Sequence, residues 1–475
     1  MPAVRRLASA PRRSVAAHLP EHWRNQTAPH PVKTSRNWRL FILLCLILGS
    51  VFRLIWVQDM EYKWDETWWY SKSQVIGRTE PIPPLSALSG SGINAPGLAL
   101  WTVAALAQGF GLDTPTSLVR SIQVLAILAL VVMFLFARYR LADADQLQWY
   151  WGGALASVNF TAVLFSRKLW PVELLPIFSI FFLMAWWQRR NSWGSFFWGL
   201  LGALLGQIQM SGFFYAAALF LWSALFNRKT VRWLMWVFGS AIGALPLIPW
   251  LAYLVQGDPN QRGIGGEFHV PGIGEYFGYV WHFARYVRDW FEYALGTSWV
   301  SSIGLHQAEF AAYPIIGGFA TYLVFAAKTL LLAALAYSGG RLLYTSWLNI
   351  YRSYKHTALS NWQSVLPSAQ TPQTIFLIQS GLIGMGLLFT LGHILSPYLP
   401  AGFWVHRHYL IVAFPLPYVC LANLALRDTR YGEKLLLAMW CAQVVVTAAF
   451  LYYIHVNCGA PGADYGVAFG CQLGA

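Results

Sequence analysis

Apolar runs close to the length of a bilayer crossing recur along nearly the whole chain, separated by short polar stretches. Eleven are predicted to be transmembrane helices, at 39–58, 118–137, 148–165, 171–188, 195–210, 211–226, 232–256, 312–336, 374–394, 408–426 and 435–455, because about 20 apolar residues span the hydrocarbon core. Two longer polar intervals interrupt the series, at 59–117 and 257–311. The first reads as helix, break, helix. Asp65, Trp69, Lys72 and Ile76 fall at helical spacing, which puts a carboxylate and an ammonium on one face, while Trp64, Trp68 and Val75 lie toward an apolar side. The prolines and glycines of "EPIPPLSALSGSGINAPG" end that helix, and "LALWTVAALAQGFG" is apolar but short for a crossing. Both helices are expected to lie in the membrane interface. The expected fold class is thus an all-α polytopic integral membrane protein with about 11 spans. Its expected parts are a disordered basic cytoplasmic tail at 1–38, an N-terminal membrane module at 39–256 that includes loop 59–117, a second loop at 257–311, C-terminal spans at 312–455 and a tail at 456–475.

Composition narrows the class further. Of 475 residues, 57% are hydrophobic and only 11% charged, which leaves little sequence for a soluble core. A net charge of +14 would suit a nucleic-acid partner, yet there is no soluble basic domain to carry one, and nucleic-acid binding is excluded. With the N-terminus inside, 21 of the 33 lysines and arginines fall on cytoplasmic segments and nine on outside segments, as membrane topology demands. Only five of the nineteen acidic residues fall inside on the same assignment. The first forty residues are basic and rich in Pro, Ala and Ser, with no apolar h-region, and read as a tail rather than a cleaved signal. The two long loops and the C-terminal tail then share the non-cytoplasmic face of an inner membrane. Cys45, Cys420 and Cys441 sit in spans as packing residues, whereas Cys458 and Cys471 in the outside tail could pair under oxidising conditions.

The richest chemistry opens the first outside loop. "DMEYKWDETWWY" packs four carboxylates among aromatic rings directly after the first span. Asp65 fits an N-cap and Glu66 complements a helix dipole, which would be purely structural roles. Carboxylates beside aromatics just above lipid also suit proton abstraction from a sugar hydroxyl in a partly dehydrated site. Asp59 and Glu61 are expected to be solvated or structural.

A span followed by an outside loop that opens with an Asp-Glu pair on an amphipathic helix resembles the GT-C glycosyltransferases. More narrowly it is similar to glycosyltransferase family 39, the protein O-mannosyltransferase and aminoarabinose-transferase group, in its bacterial form. "INAPG" at 93–97, "SRKLW" at 166–170, "QIQMSG" at 207–212, "HRHYLIVAFPLPYV" at 406–419 and "GAPGADYGVAF" at 459–469 agree in order. The resemblance implies a GT-C fold, an active site on the non-cytoplasmic face and a polyprenyl-phosphate-linked sugar as donor. It gives Asp65 the place of the catalytic carboxylate, with Glu66 its neighbour in the motif. The two tryptophans after Thr67 are bulkier than the small residues usual there, and Gln209 stands where related chains often have histidine.

A phosphate leaving group is best met by cations. Arg407, Arg167, Lys168 and Lys72 are the candidate donor-phosphate contacts, with interfacial snorkelling or a surface ion pair as their structural readings. His406, His408, Arg262, His269, Asp464 and Tyr465 are candidate substrate contacts, and Asp464 and Tyr465 would otherwise form a turn against the outer loops. A divalent metal held by Glu66 or Glu267 with His269 is chemically reasonable, without a tight ligand spacing to mark it. Arg53, Arg120, Glu173 and Lys328 fall in or near spans, where a charge needs a partner, a wet cavity or a snorkelling path. Two other classes fit many spans: a transporter or lipid-linked glycan flippase, and a cell-envelope glycan polymerase or ligase. A transporter would show an internal repeat with paired broken helices, and none is evident. Sugar and acceptor, whether protein, lipid or glycan, are open.

Overall fold

The chain begins its described structure with α1, Arg36–Leu54, a 19-residue apolar helix. The computed structural model describes residues 36–88, 94–256, 273–297, 315–316, 319–355, 372–395, 407–428, 430–463 and 465–473. After α1 come a short 3-10 turn, Val57–Asp59, and α2, Trp64–Val75. A two-stranded antiparallel ribbon, β1 Leu85–Leu88 with β2 Asn94–Pro96, leads to α3, Leu98–Gly109. Next is α4, Pro115–Arg140, whose start is set by Pro115 in the first turn and by Thr114, which accepts the Ser117 amide at 3.1 Å.

One predicted span, 148–165, is two helices, α5 Asp143–Val158 and α6 Phe160–Phe165. Asn159 makes the break useful: its Oδ1 caps the Ala162 amide at 3.0 Å, and its Nδ2 donates to the carbonyls of Tyr293 and Ala294. A 3-10 turn, Pro171–Leu174, precedes α7, Leu175–Trp187. Then follow α8 Ser192–Ile208, α9 Ser211–Phe226, α10 Trp233–Ala244 and α11 Ile248–Gln256. Glycines let α8 and α10 touch backbone to backbone: a Cβ on Gly239 would stand 2.0 Å from the Phe196 carbonyl oxygen.

The C-terminal half holds α12 Ile273–Leu295, a small ribbon of β3 Ile315–Ile316 with β4 Phe319–Ala320, and α13 Thr321–Lys355. The span predicted at 374–394 is α14 Gln373–Gln379 and α15 Met385–Leu395, joined through a π turn at Ser380–Gly384. A 3-10 stretch, Arg407–Ala413, enters α16, Leu416–Leu426, and α17 is Gly432–Val456. The tail folds into β5 Gly459–Ala460 against β6 Gly466–Val467, then a single turn α18, Phe469–Gln472, under a Cys458–Cys471 disulfide.

Helix occupies most of the described residues in the predicted spans, although the one placed at 312–336 becomes helical only at Thr321, after the β3–β4 ribbon, and among the described residues six helical segments are long and apolar enough to cross a membrane. The protein is an all-α polytopic membrane protein. Two expectations change. The second polar interval contains α12, whose Tyr286, Trp290, Phe291 and Tyr293 enter the main core; the glycines before it hid an aromatic stripe at helical spacing. The buried face of α2 is Glu66, Trp69 and Ser73, followed by Ile76, while Trp64 is 77% exposed, so the apolar side lies about one position away from the expected one.

The loop at 59–117 has its own small core. Val57, Met60, Trp69 and Ile76 pack with Leu100 and Val103 of α3, Leu118 and Ile122 of α4, and Leu169 and Leu174. This cluster seats α2 on the rim of the helix bundle and presents its first turn there.

Candidate active site

The site is assembled from the end of α1 upward. The C-terminal carbonyls of α1 lack intrahelical donors, and Arg167 supplies them. Its Nη1 donates to Ile55 at 2.6 Å and, more weakly, to Phe52 and Arg53; its Nη2 donates to the Trp56 carbonyl at 2.7 Å. The buried guanidinium is thereby committed to backbone, with four carbonyls where a donor phosphate was expected. Arg53 is used the same way, donating to the carbonyls of Gly49, Ser157 and Ala156 from within the bundle.

Beyond Trp56 the chain enters α2 through residues 59–63. Asp65 stands exposed in the first turn of α2, and Glu66 beside it is almost wholly buried. Lys63, not Asp65, is the N-cap: the Lys63 amide donates to a Glu66 carboxylate oxygen at 2.9 Å, as in a capping box. The other Glu66 oxygen is buried without a hydrogen-bond partner among the described residues. Burial pushes the Glu66 carboxyl above the ordinary glutamate range, Glu61 adds to the push, and Lys168 with backbone amides opposes it.

Glu61 joins the two halves of the site. It is buried, and its two oxygens bind Lys63 at 2.6 Å and Lys168 at 2.5 Å. Burial acts to lower the pKa of the Lys168 ammonium, but Glu61, Glu66 and Glu173 outweigh it, so the group stands above the ordinary lysine value. Lys168 also lies over two rings, 5.5 Å from Phe165 and 5.2 Å from Trp170. The same two rings meet His408 edge-on, with centroids at 6.5 and 5.7 Å. Residues far apart in sequence, 61–66, 168–170 and 408, thus form one acid, base and aromatic cluster on the rim.

Other candidates are placed elsewhere. Lys72 pairs with Glu80 at 2.7 Å on the exposed side of α2. Tyr465 is buried and donates its hydroxyl to the Asp59 carbonyl. Arg407 opens the 3-10 stretch next to His408, but its side chain lies outside what is described. His406, Arg262, His269, Asp464 and Glu267 also lie outside the described residues. Among the described residues no three His, Cys, Asp or Glu side chains converge as a metal centre. Arg120 is exposed near the start of α4.

Two groups carry more than their sequence suggested. Glu61 sits among ordinary loop residues, and only folding brings Lys168 to it. Asp59 pairs with His455, at 2.9 Å, from the last turn of α17. Just beneath the rim, Arg53, Ser166, Glu173 and Tyr293 line a cavity of about 20 Å³ among apolar side chains. That space is the size of a single water and far below that of a sugar.

No family model and no curated protein matches the chain. Among solved structures it is similar to the Archaeoglobus fulgidus oligosaccharyltransferase in complex with zinc and sulfate, at 12% identity and TM-score 0.43, covering 88% of this chain and 53% of that one. The apo form of that protein gives 11% identity and TM-score 0.43, with coverage of 91% and 57%. The archaeal oligosaccharyltransferase AglB from A. fulgidus, in complex with an inhibitory peptide and a dolichol-phosphate, gives 12% identity and TM-score 0.40, with coverage of 90% and 56%. The chain spans little more than half the length of these proteins, and the likeness is distant.

Proposed function

We propose that the protein is a membrane glycosyltransferase of GT-C type that moves a sugar from a polyprenyl-phosphate carrier to an acceptor hydroxyl on the non-cytoplasmic face. The observation that carries this reading is the link made by Lys168, which joins the helix start bearing Asp65 and Glu66 to the aromatic rings that hold His408. An exposed carboxylate and a cationic, ring-lined rim at the membrane surface are the two things such a transfer needs. Asp65 is open to an incoming hydroxyl and accepts its proton as the oxygen attacks the anomeric carbon. The lipid phosphate leaves from the opposite face, with inversion, toward Lys168 and the Arg407–His408 turn. Glu66 supports Asp65 from below by closing the cap of α2. The family 39 resemblance of the motifs supports the same assignment, and the charge asymmetry along the chain supports a cytoplasmic N-terminus with the site outside.

A positioned base contributes about 10²–10⁴-fold, or roughly 3–5 kcal/mol of barrier. The remainder comes from orientation and from electrostatic stabilisation of the phosphate. The test is transfer from a panel of polyprenyl-phosphate hexoses and pentoses in reconstituted vesicles, wild type against Asp65→Asn. Transfer by the wild type and its loss in the variant is the expected result. Normal transfer by Asp65→Asn removes the base, and solute crossing without glycosidic-bond formation would replace the reading by a transporter.

A further inference from the structure

The last turn of α17 and the tail after it return to the segment from which α2 starts, and contacts from them reach Trp56 and each of residues 59–62. The His455 ring stacks on Trp56 at 4.1 Å with the planes 4° apart, and its Nδ1 meets Asp59 Oδ2 at 2.9 Å. The buried Tyr465 hydroxyl donates to the Asp59 carbonyl, and the Phe469 amide donates to the Met60 carbonyl at 3.1 Å. Glu61 bridges to Ala468 in antiparallel fashion. Gln472 Nε2 donates to the carbonyls of Tyr62 and Val467, both at 2.8 Å, and the Tyr62 and Phe469 rings meet at 4.8 Å.

This pattern has a simple cause. Residues 60–62 are neither helix nor paired strand of their own, so their carbonyls need donors from elsewhere, whereas the Lys63 carbonyl is met by Thr67 of α2. The tail provides them as a short added strand and turn. Its own shape is held by the Cys458–Cys471 disulfide and by the Ala468 amide donating to the Cys458 carbonyl at 2.9 Å. The only two non-glycine residues with positive φ among those described are Trp56 at 47° and Cys458 at 52°, one on each side of this contact. Such conformations persist where the surroundings over-determine them.

We infer that the disulfide-closed tail is a clamp that positions the first turn of α2, with Tyr465 and the Cys458–Cys471 pair as positioning residues. The clamp orders residues 59–63, which in turn fixes Lys63, the cap closed by Glu66, and the exposed Asp65 next to it. Its consequence for sugar transfer rests on the function proposed above; its consequence for backbone order does not.

The test therefore uses two readouts on the full-length protein in detergent and in vesicles. Backbone amide exchange is followed for peptides covering 57–67, 465–473 and the spans, in wild type, Cys458→Ser/Cys471→Ser and Tyr465→Phe. Tyr465→Phe keeps the ring that packs 5.7 Å from Phe450 and removes only the hydroxyl. Exchange across 57–67 is expected to rise at least about tenfold in both variants, with the spans unchanged. Unchanged exchange in Tyr465→Phe, a minimal change that leaves folding intact, overturns the clamp whatever happens to transfer. Where the wild type transfers sugar from the polyprenyl-phosphate panel, both variants are expected to lose about 10–100-fold in kcat, in line with a small misplacement of a reacting group, at near-constant donor KM. A raised KM with normal kcat would show that the tail binds donor rather than positioning α2. Failure of the wild type to transfer from any donor, with the exchange difference present, would refute the proposed function and leave the clamp standing.

Discussion

The two sides of α2 carry the same residue types under opposite conditions. On the outer side Asp65 is exposed, and Lys72 and Glu80 form a pair whose side chains are 37% and 45% exposed. On the inner side Glu66, Glu61 and Lys168 are shut into the rim, with Glu61 held by two lysines. Exposed charges exchange with water at little cost, so they are available to a substrate and contribute little to the fold. Buried ones have lost their hydration and must be matched, so they set geometry and are costly to unmatch. One turn of helix thus separates the exposed Asp65 from the buried Glu66 and Glu61, which hold its helix start in place.

That contrast can be broken in several ways. The largest effect is expected at Asp65: Asp65→Asn should lower transfer by about 10²–10⁴-fold while leaving thermal unfolding in detergent unchanged. A loss of stability would place Asp65 with the inner group. Next, Lys168→Met leaves Glu61 buried with only the half-exposed Lys63, and should destabilise by about 3 kcal/mol, the low end for an orphaned buried charge. Adding Glu61→Gln should recover most of that loss, and a cycle of the single and double variants measures the coupling.

The pH dependence of the inner group has a definite sign. The Glu66 carboxyl is raised above its ordinary value of 4.5, chiefly by burial. The folded state therefore holds its proton to higher pH than the unfolded state, and stability from this group is full below 4.5 and lost as pH rises through the folded value. Glu66→Gln keeps an acceptor for the Lys63 amide and removes the titration, so its melting temperature should decline less with rising pH than that of the wild type. A wild-type profile without that decline would mean that Glu66 is ionised at no cost. The smallest effect belongs to the outer side, where Lys72→Ala should change stability by under about 1 kcal/mol, as read from the same melts. A larger change would mean that the Lys72–Glu80 pair holds α2 closed against the loop.

Much of the scaffold was legible before folding. Most of the described length of the predicted spans is helix, because a chain in lipid must satisfy its backbone internally and so announces its helices by length and apolarity, while the span placed at 312–336 begins only after the β3–β4 ribbon. The breaks inside spans were harder. Asn159 reads as one polar residue in an apolar run, and only the carbonyls of Tyr293 and Ala294 give it something to bind. The helix α12 was hidden by the glycines that precede it. For the candidate site, the sequence marked the Asp65–Glu66 pair and Lys168, but assigned Arg167 to phosphate when its guanidinium caps α1. A side chain's type limits its partners without choosing among them.

The division follows from range. Hydropathy is a local quantity, and it was enough to determine that this is a polytopic helical membrane protein. Which carboxylate is open and which is buried depends on contacts between residues more than 100 and even 400 positions apart, Glu61 with Lys168 and Asp59 with Tyr465. Those contacts cost or gain free energy only once water has been removed from both partners, and that removal is an act of the tertiary structure.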